Sequence, residues 1–159
     1  MAAMRISSKT VYALRALFDI AFHSMGRPTK VDAIAEREEV PPRFLEQIFQ
    51  DLKAAGLVGS KRGPSGGYFL RRSPASVTVG DVVRAIEGPL DETLSVALES
   101  GREAKSDAVT SKCVTAAVWG DLVTGIESVL DGVTLSDLAA KGDALGLRRE
   151  SDADFSWVI

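Results

Sequence analysis

Residues 40–72 read VPPRFLEQIFQDLKAAGLVGSKRGPSGGYFLRR, and the change of period inside this stretch decides the fold. Pro42 suits the first turn of a helix, after which Phe44, Leu45, Ile48, Phe49 and Leu52 recur at three- and four-residue steps until Gly56 stops the run. Two strand-like runs then follow, 57–62 and 68–71, on either side of Gly63-Pro64-Ser65-Gly66-Gly67, which reads as a hairpin turn. Glycine there permits backbone angles closed to other residues and lets the main chain approach a neighbour closely.

Working upstream, Glu39-Val40-Pro41 is a tight connection to a short helix over 31–38 with Val31, Ile34 and Ala35 inward, for which Thr29 is a candidate cap. Before it, Val11, Leu14, Leu17, Phe18, Ala21 and Phe22 predict a helix over 8–24, capped by Ser7 or Ser8 and ended by Gly26-Arg27-Pro28. Two short helices joined by so few residues, the second opened by proline and followed by a hairpin, form the pattern of a winged helix-turn-helix. The expected fold is therefore mainly α with a small β-hairpin wing.

Downstream, Ser76-Val77-Thr78-Val79 reads as a third strand-like piece, and a short amphipathic helix over 81–87 with Val82, Val83 and Ile86 inward closes the domain at Gly88-Pro89. Residues 89–112 are polar and irregular, with a turn or two of helix expected over 93–98; a stretch of this kind is usually functional or disordered. A helix over about 113–131 carries Val114, Val118, Leu122, Ile126, Val129 and Leu130 as one apolar stripe, continued by Val133. Such a face on a terminal helix wants a partner, and pairing across a twofold axis suits a DNA reader, which leaves Val118, Leu122, Ile126, Val129 and Leu130 as candidate dimerisation residues. Packing on its own domain is the plainer alternative. Thr134-Leu135-Ser136-Asp137 opens one more helix over 135–141, and the tail 142–159 ends in alternating Phe155, Trp157 and Ile159.

Four parts are thus expected: a DNA-binding domain over 4–88, an effector or sensor loop over 89–112, a dimerisation helix with a short follower over 113–141, and a tail over 142–159. The net charge of −3 argues against a nucleic-acid partner until it is divided along the chain. Residues 1–88 hold 13 Lys and Arg against 9 Asp and Glu, whereas residues 89–159 hold 6 against 13. A basic half beside an acidic half fits one part that meets phosphate and another that meets protein or effector.

No run approaches the roughly eighteen consecutive apolar residues of a membrane span, and the N-terminus lacks a signal peptide's apolar core, so a cytoplasmic protein without membrane contact is expected. One cysteine, Cys113, and one histidine, His23, supply neither a disulfide framework nor a thiolate cage for a metal. No convergent nucleophile, base or metal set suggests an enzyme. A winged helix that binds only protein would need no cations on its hairpin, and Arg62, Arg71 and Arg72 speak against that alternative.

Five blocks in order carry a family resemblance: Met4-Arg5-Ile6-Ser7-Ser8-Lys9 with Tyr12-Ala13-Leu14, Phe44-Leu45-Glu46-Gln47-Ile48, Ala55-Gly56-Leu57-Val58, Arg62-Gly63-Pro64-Ser65-Gly66-Gly67-Tyr68, and Val79-Gly80-Asp81-Val82-Val83-Arg84-Ala85-Ile86-Glu87-Gly88. Together they resemble the Rrf2 family of bacterial winged-helix transcription regulators. The resemblance implies a homodimer on double-stranded DNA at an inverted-repeat operator, with the third helix in the major groove and the wing in the flanking minor groove. Arg43, Glu46 and Gln47 would then read bases, since glutamate can accept from a cytosine amino group and glutamine can pair with adenine. Arg62 would enter the minor groove, with Ser65, Gly66 and Tyr68 beside it on the hairpin. Lys9, Tyr12, Lys53 and Lys61 would hold phosphates.

Cluster-binding members of that family place three cysteines before the long helix. This chain keeps only Cys113 and has Ala116 where a histidine would follow, so neither a cofactor nor a metal is expected. It is closest in character to the family's cluster-less cysteine-metabolism repressors, which answer to a cysteine-synthase-like enzyme or a small thiol metabolite. A repressor responding to a redox, sulfur or cysteine-related signal is therefore expected. Cys113 is either a redox thiol activated at a helix start or a cysteine that merely packs. An iron-sulfur regulator with unusual ligands is the alternative.

Overall fold

The computed structural model describes residues 6–90 and 109–150. The expected helical turns over 93–98, the alternating aromatic tail, and the Met4-Arg5 end of the first family block lie outside the described residues. Among those described, the elements are α1 (Ser8–His23), α2 (Val31–Glu38), α3 (Pro42–Ala54), β1 (Val58–Lys61), β2 (Gly67–Leu70), a 3-10 turn (Pro74–Ser76), α4 (Val79–Glu87), α5 (Ser111–Asp131) and α6 (Leu135–Ala144).

α1 begins where sequence places it, because the Ser7 hydroxyl accepts from the backbone N–H of Thr10. Its buried stripe of Ala13, Ala16, Leu17 and Ile20 is the floor on which Ile34, Leu45, Ile48, Phe49 and Leu52 of α2 and α3 pack. Fully burying each of these larger side chains contributes about 1.5–3 kcal/mol. The turn between α2 and α3 places Glu39 in the left-handed region at φ 53°, and the Val40 N–H reaches back to the Ala35 carbonyl. β1 and β2 pair antiparallel in the register Val58↔Leu70 to Lys61↔Gly67, which buries Val58 and Leu70 on one side.

Two expectations are corrected. Residues 76–79 do not form a strand: Pro74–Ser76 is a 3-10 turn, Thr78 makes one isolated bridge to Thr134, and α4 starts at Val79. Thr78 is extended because it is the N-cap of α4, where it exchanges hydrogen bonds with Asp81 in a capping box, so its strand-like character ends in a helix start. Thr29 does not cap α2, whose N-cap is Lys30. The Thr29 side chain instead pairs with Ser24 and the Arg27 carbonyl, and its backbone bridges Tyr68.

One buried ion pair ties α1 to α2. Asp19 is wholly buried, and Arg37 meets it with two hydrogen bonds of 2.7 and 2.8 Å while also pairing with Glu150. The Asp19 hydrogen bond dominates the raising of the Arg37 pKa against desolvation, so the guanidinium stays charged. At the opposite end of α1, Glu87 accepts from Ser7 and Thr10. Burial disfavours its charge, but these bonds outweigh that and hold the carboxyl below its ordinary value.

α6 folds back on α1, with Leu135 in the same core, whereas α5 stands out from the rest. Of its 21 residues only Val123 is buried, and the foot of the helix is held by Asp131, which Arg84 of α4 reaches at 2.6 Å. By length and composition α5 would suit a bilayer, with a mean hydropathy of 1.3. Asp121 and Glu127 inside it would each cost up to about 3 kcal/mol in hydrocarbon, so a protein surface is the better cover for its apolar side.

The Asp19–Arg37 pair makes an asymmetric prediction for unfolding in urea. Arg37→Ala strands a carboxylate with no access to water and should cost about 3–5 kcal/mol. Asp19→Ala leaves a partly exposed guanidinium still paired with Glu150, and should cost less, about 2–3 kcal/mol. Equal losses would mean that the buried charge is not what matters.

Candidate nucleic-acid interface

The amphipathicity of α3 sets one face outward. With Leu45, Ile48, Phe49 and Leu52 turned to the core, Arg43, Glu46, Gln47, Gln50 and Lys53 are left exposed along one side, and the first four line a shallow groove. Three of these are the expected base readers. Gln50 is an addition: it follows Glu46 by four residues and Gln47 by three, a spacing that could have named it.

The hairpin is fixed beside this face by Tyr68. Its ring stacks on Phe49 of α3 with centroids 4.3 Å apart and planes within 8°, and the Gln50 amide donates to its hydroxyl at 3.5 Å. Its backbone meanwhile exchanges hydrogen bonds of 2.8 and 2.9 Å with Thr29, just before α2. That approach requires Gly67, at φ 143°, because a Cβ there would overlap the Thr29 carbonyl. Burial, with the charge of Glu46 adding to it, pushes the Tyr68 phenol above its ordinary value of 10.

Beyond this anchor the chain turns at Gly63–Gly66, where the Gly66 N–H donates to the Gly63 carbonyl at 3.0 Å, and Lys61, Arg62 and Ser65 are exposed. Arg43, Lys61 and Arg62 have no ion-pair partner among the described residues, while Lys53 donates to Ser60 at 2.8 Å and so spans from α3 to β1. Lys9 pairs with Asp51, and Tyr12 sits edge-on to Phe44 beneath Arg15. Arg72, expected to add charge to the hairpin, is held by Asp81 at 2.6 Å. Arg27 and Lys30, which were not anticipated, are exposed next to the Thr29–Tyr68 bridge and lengthen the cationic edge.

A helix-turn-helix whose second helix presents polar side chains, flanked by a hairpin with unpaired cations at its tip, defines a winged-helix DNA-binding protein. The comparisons agree. The Rrf2 family profile, described as an iron-dependent transcriptional regulator, matches residues 6–141. The transcriptional regulator IscR of Pectobacterium carotovorum is 36% identical over 151 residues, spanning 95% of this chain and 88% of that protein. Among solved structures, IscR of T. potens has a TM-score of 0.68 at 32% identity, covering 95% of this chain and 97% of that one. CymR of B. subtilis, the global cysteine regulator, has 0.66 at 34% identity, covering 87% and 98%. This chain belongs to the Rrf2 family and is a DNA-binding transcription regulator; its relatives are named as regulators, not enzymes.

The iron in the family's description can be tested against the donors present. Iron-sulfur clusters are held by about four thiolate or imidazole ligands, whereas the whole sequence has one cysteine and one histidine. Cys113 lies 3.3 Å from the Thr110 hydroxyl, and Nδ1 of His23 accepts from the Glu150 N–H. Among the described residues no group of three or more histidine, cysteine or acidic side chains could hold a metal. This donor set does not fit a thiolate-held cluster.

If Tyr68 orients the hairpin, Tyr68→Phe should preserve DNA affinity and Tyr68→Ala should lower it by about 1 kcal/mol, roughly fivefold, in fluorescence anisotropy. Equal affinities in the two variants would show that the stack does not position the wing.

Proposed function

We propose that this protein is a cytoplasmic homodimeric repressor that reads an inverted-repeat operator. In that reading α3 enters the major groove with Arg43, Glu46, Gln47 and Gln50 facing base edges, and the hairpin places Arg62 in the adjacent minor groove with Ser65 beside it, while Gly66, buried against the Lys61 carbonyl, shapes the turn and Tyr68 holds the hairpin to α3. Lys9, Tyr12, Lys53 and Lys61 hold phosphates; Lys9 exchanges Asp51 for phosphate at little cost, because an exposed ion pair is worth about 1 kcal/mol or less.

The observation that carries the dimer is α5. Val118 is 62% and Val129 71% exposed, and Leu122 is exposed on the same helix, with Ile126 and Leu130 half-buried alongside them. Pairing this stripe with its copy removes it from water and supplies the twofold axis that an inverted repeat demands. The organisation is then a DNA-binding domain over 4–88, a sensor segment over 89–112, the dimerisation helix with its follower over 113–141, and a tail over 142–159.

For the signal, the reading is a redox or sulfur cue received at Cys113. Its thiol lies in the first turn of α5, and hydrogen bonds from Thr110, the side chain's foremost, lower its pKa, so that more of it is the reactive thiolate at neutral pH. The likeness to CymR supports a cysteine-related cue, and a small thiol or a cysteine-synthase-like enzyme is the corresponding partner.

Anisotropy titrations with duplexes carrying inverted repeats test the DNA half of this reading. Arg62→Ala should weaken binding about tenfold or more, and raising salt from about 50 to 200 mM should weaken the wild type by about a thousandfold, as loss of several phosphate contacts predicts. An unaltered Arg62→Ala affinity, or a monomer in sedimentation bound to such duplexes, would refute it. Mild peroxide should reduce operator binding by the wild type and leave Cys113→Ser unaffected; identical responses would remove the thiol from the account.

A further inference from the structure

A groove of about 620 Å³ runs between α1 and α6, on a side of α1 away from the DNA-facing surface of α3. Leu14 and Phe18 of α1 form one wall, and Leu138, Leu145 and Leu147 the other. Leu145 is 78% and Leu147 47% exposed, so the lip presents apolar surface to water with nothing described against it. The volume lies within the range of small-molecule sites, which are mostly apolar with a few polar groups at the edge.

The edge here is cationic. Lys141, on the last turn of α6, has no ion-pair partner among the described residues. Arg15, on the opposite rim, spends one face on the Glu38 side chain and carbonyl at 2.8 and 2.7 Å. Glu38 is matched by Arg15, and the carboxylates that share the helix with Lys141 are engaged elsewhere, Asp137 with Thr134 and Asp143 with Arg149, which leaves Lys141 without an ion pair among the described residues. Apolar walls beneath an unpaired ammonium complement a molecule with an aliphatic or aromatic body and one negative headgroup.

We propose that the α1–α6 groove binds an amphipathic organic anion, a carboxylate on a hydrophobic body, as an effector separate from the Cys113 thiol. Its consequence for transcription rests on the regulator reading; the binding itself does not. The groove bears on α1, whose buried side carries Ala13, Ala16 and Leu17 against the recognition unit, and on α6, which continues from the foot of α5. A ligand that clamps α6 to α1 therefore acts on both the reading domain and the base of the dimerisation helix.

The test uses the full chain and the anionic probe anilinonaphthalene sulfonate, followed by fluorescence, with decanoate and decyltrimethylammonium as competitors of equal chain length and opposite charge. Saturable binding of one probe per chain is expected, with displacement at least about tenfold better by decanoate. Lys141→Glu should weaken probe and decanoate about fivefold, and Leu145→Glu should abolish both. Both substitutions fall on exposed positions, and retained operator binding by each variant verifies folding and keeps the regulator reading separate. Absence of saturable binding, equal displacement by the two competitors, or indifference to both variants overturns the proposal. So does a change of sedimentation mass in Leu145→Glu, which would assign the groove to a second copy, or probe binding that appears only after removal of residues 151–159, which would assign it to the chain's own tail.

Discussion

The stack of Tyr68 on Phe49 is the contact on which the recognition surface depends. Phe49 belongs to the buried side of α3, so the same residue that fixes how α3 sits in the core also fixes where the hairpin stands. Because the backbone of Tyr68 is also bridged to Thr29 ahead of α2, the hairpin is tied to both helices of the helix-turn-helix. A two-stranded hairpin is marginal by itself. Here it borrows rigidity from the core, and the cations at its tip keep a set distance from the polar face of α3. Gly67 is the geometric condition for this: the closeness of its backbone to Thr29 leaves no room for a side chain.

The rest of the domain is arranged to make that surface rigid while leaving α5 free. Charged side chains do much of the fastening: Asp19 pairs with Arg37 between α1 and α2, Arg84 with Asp131 at the base of α5, and Glu87 accepts hydrogen bonds from Ser7 and Thr10 at the start of α1. The bonds of Arg84 and of Glu87 join elements distant in sequence. Past Asp131 toward its N-terminus, α5 has only Val123 buried, which means that its stability as an isolated helix would rest on local propensity alone. A helix of this composition, with Gly120 and Gly125 in its middle, gains most from a partner that buries the valine and leucine side.

What could be read in the sequence were the features with a local signature. The three-and-four spacing of Leu45, Ile48, Phe49 and Leu52 placed α3, and Gly63-Pro64-Ser65-Gly66-Gly67 placed the turn of the hairpin, because both are dictated within a few residues. Val77-Thr78-Val79 misled for the same reason: a β-branched residue in extended conformation looks alike in a strand and at an N-cap, and only the capping box with Asp81 tells them apart. Thr29 was a reasonable cap in isolation, but its backbone is claimed by Tyr68, thirty-nine positions on. The charges divide similarly. Sequence counted Arg72 among the hairpin's cations, yet Asp81 holds it, whereas Arg27 and Lys30 gained their place only when the Thr29 bridge brought them alongside the hairpin.

At Cys113 the start of α5 offers one thiol and, among the described residues, no other donor of the kind that holds a metal cluster. A cluster would need several donors converging on one point, and the only thiol in this chain has a threonine hydroxyl for a neighbour. The start of α5 nonetheless keeps the electrostatics of a helix N-terminus, which favours a thiolate there as it would favour any anion. In the proposed reading a signal at that point enters the helix that, among the described residues, its own chain holds most loosely. In the proposed dimer a change of charge or bulk at residue 113 acts first on how α5 packs, and it reaches the DNA-binding domain through the foot of that helix, where Asp131 meets Arg84 and Thr78 and the chain runs on into α6 against α1. Coupling of this kind requires α5 to have a second well-defined packing partner, because a helix free in water has no alternative state for the signal to select.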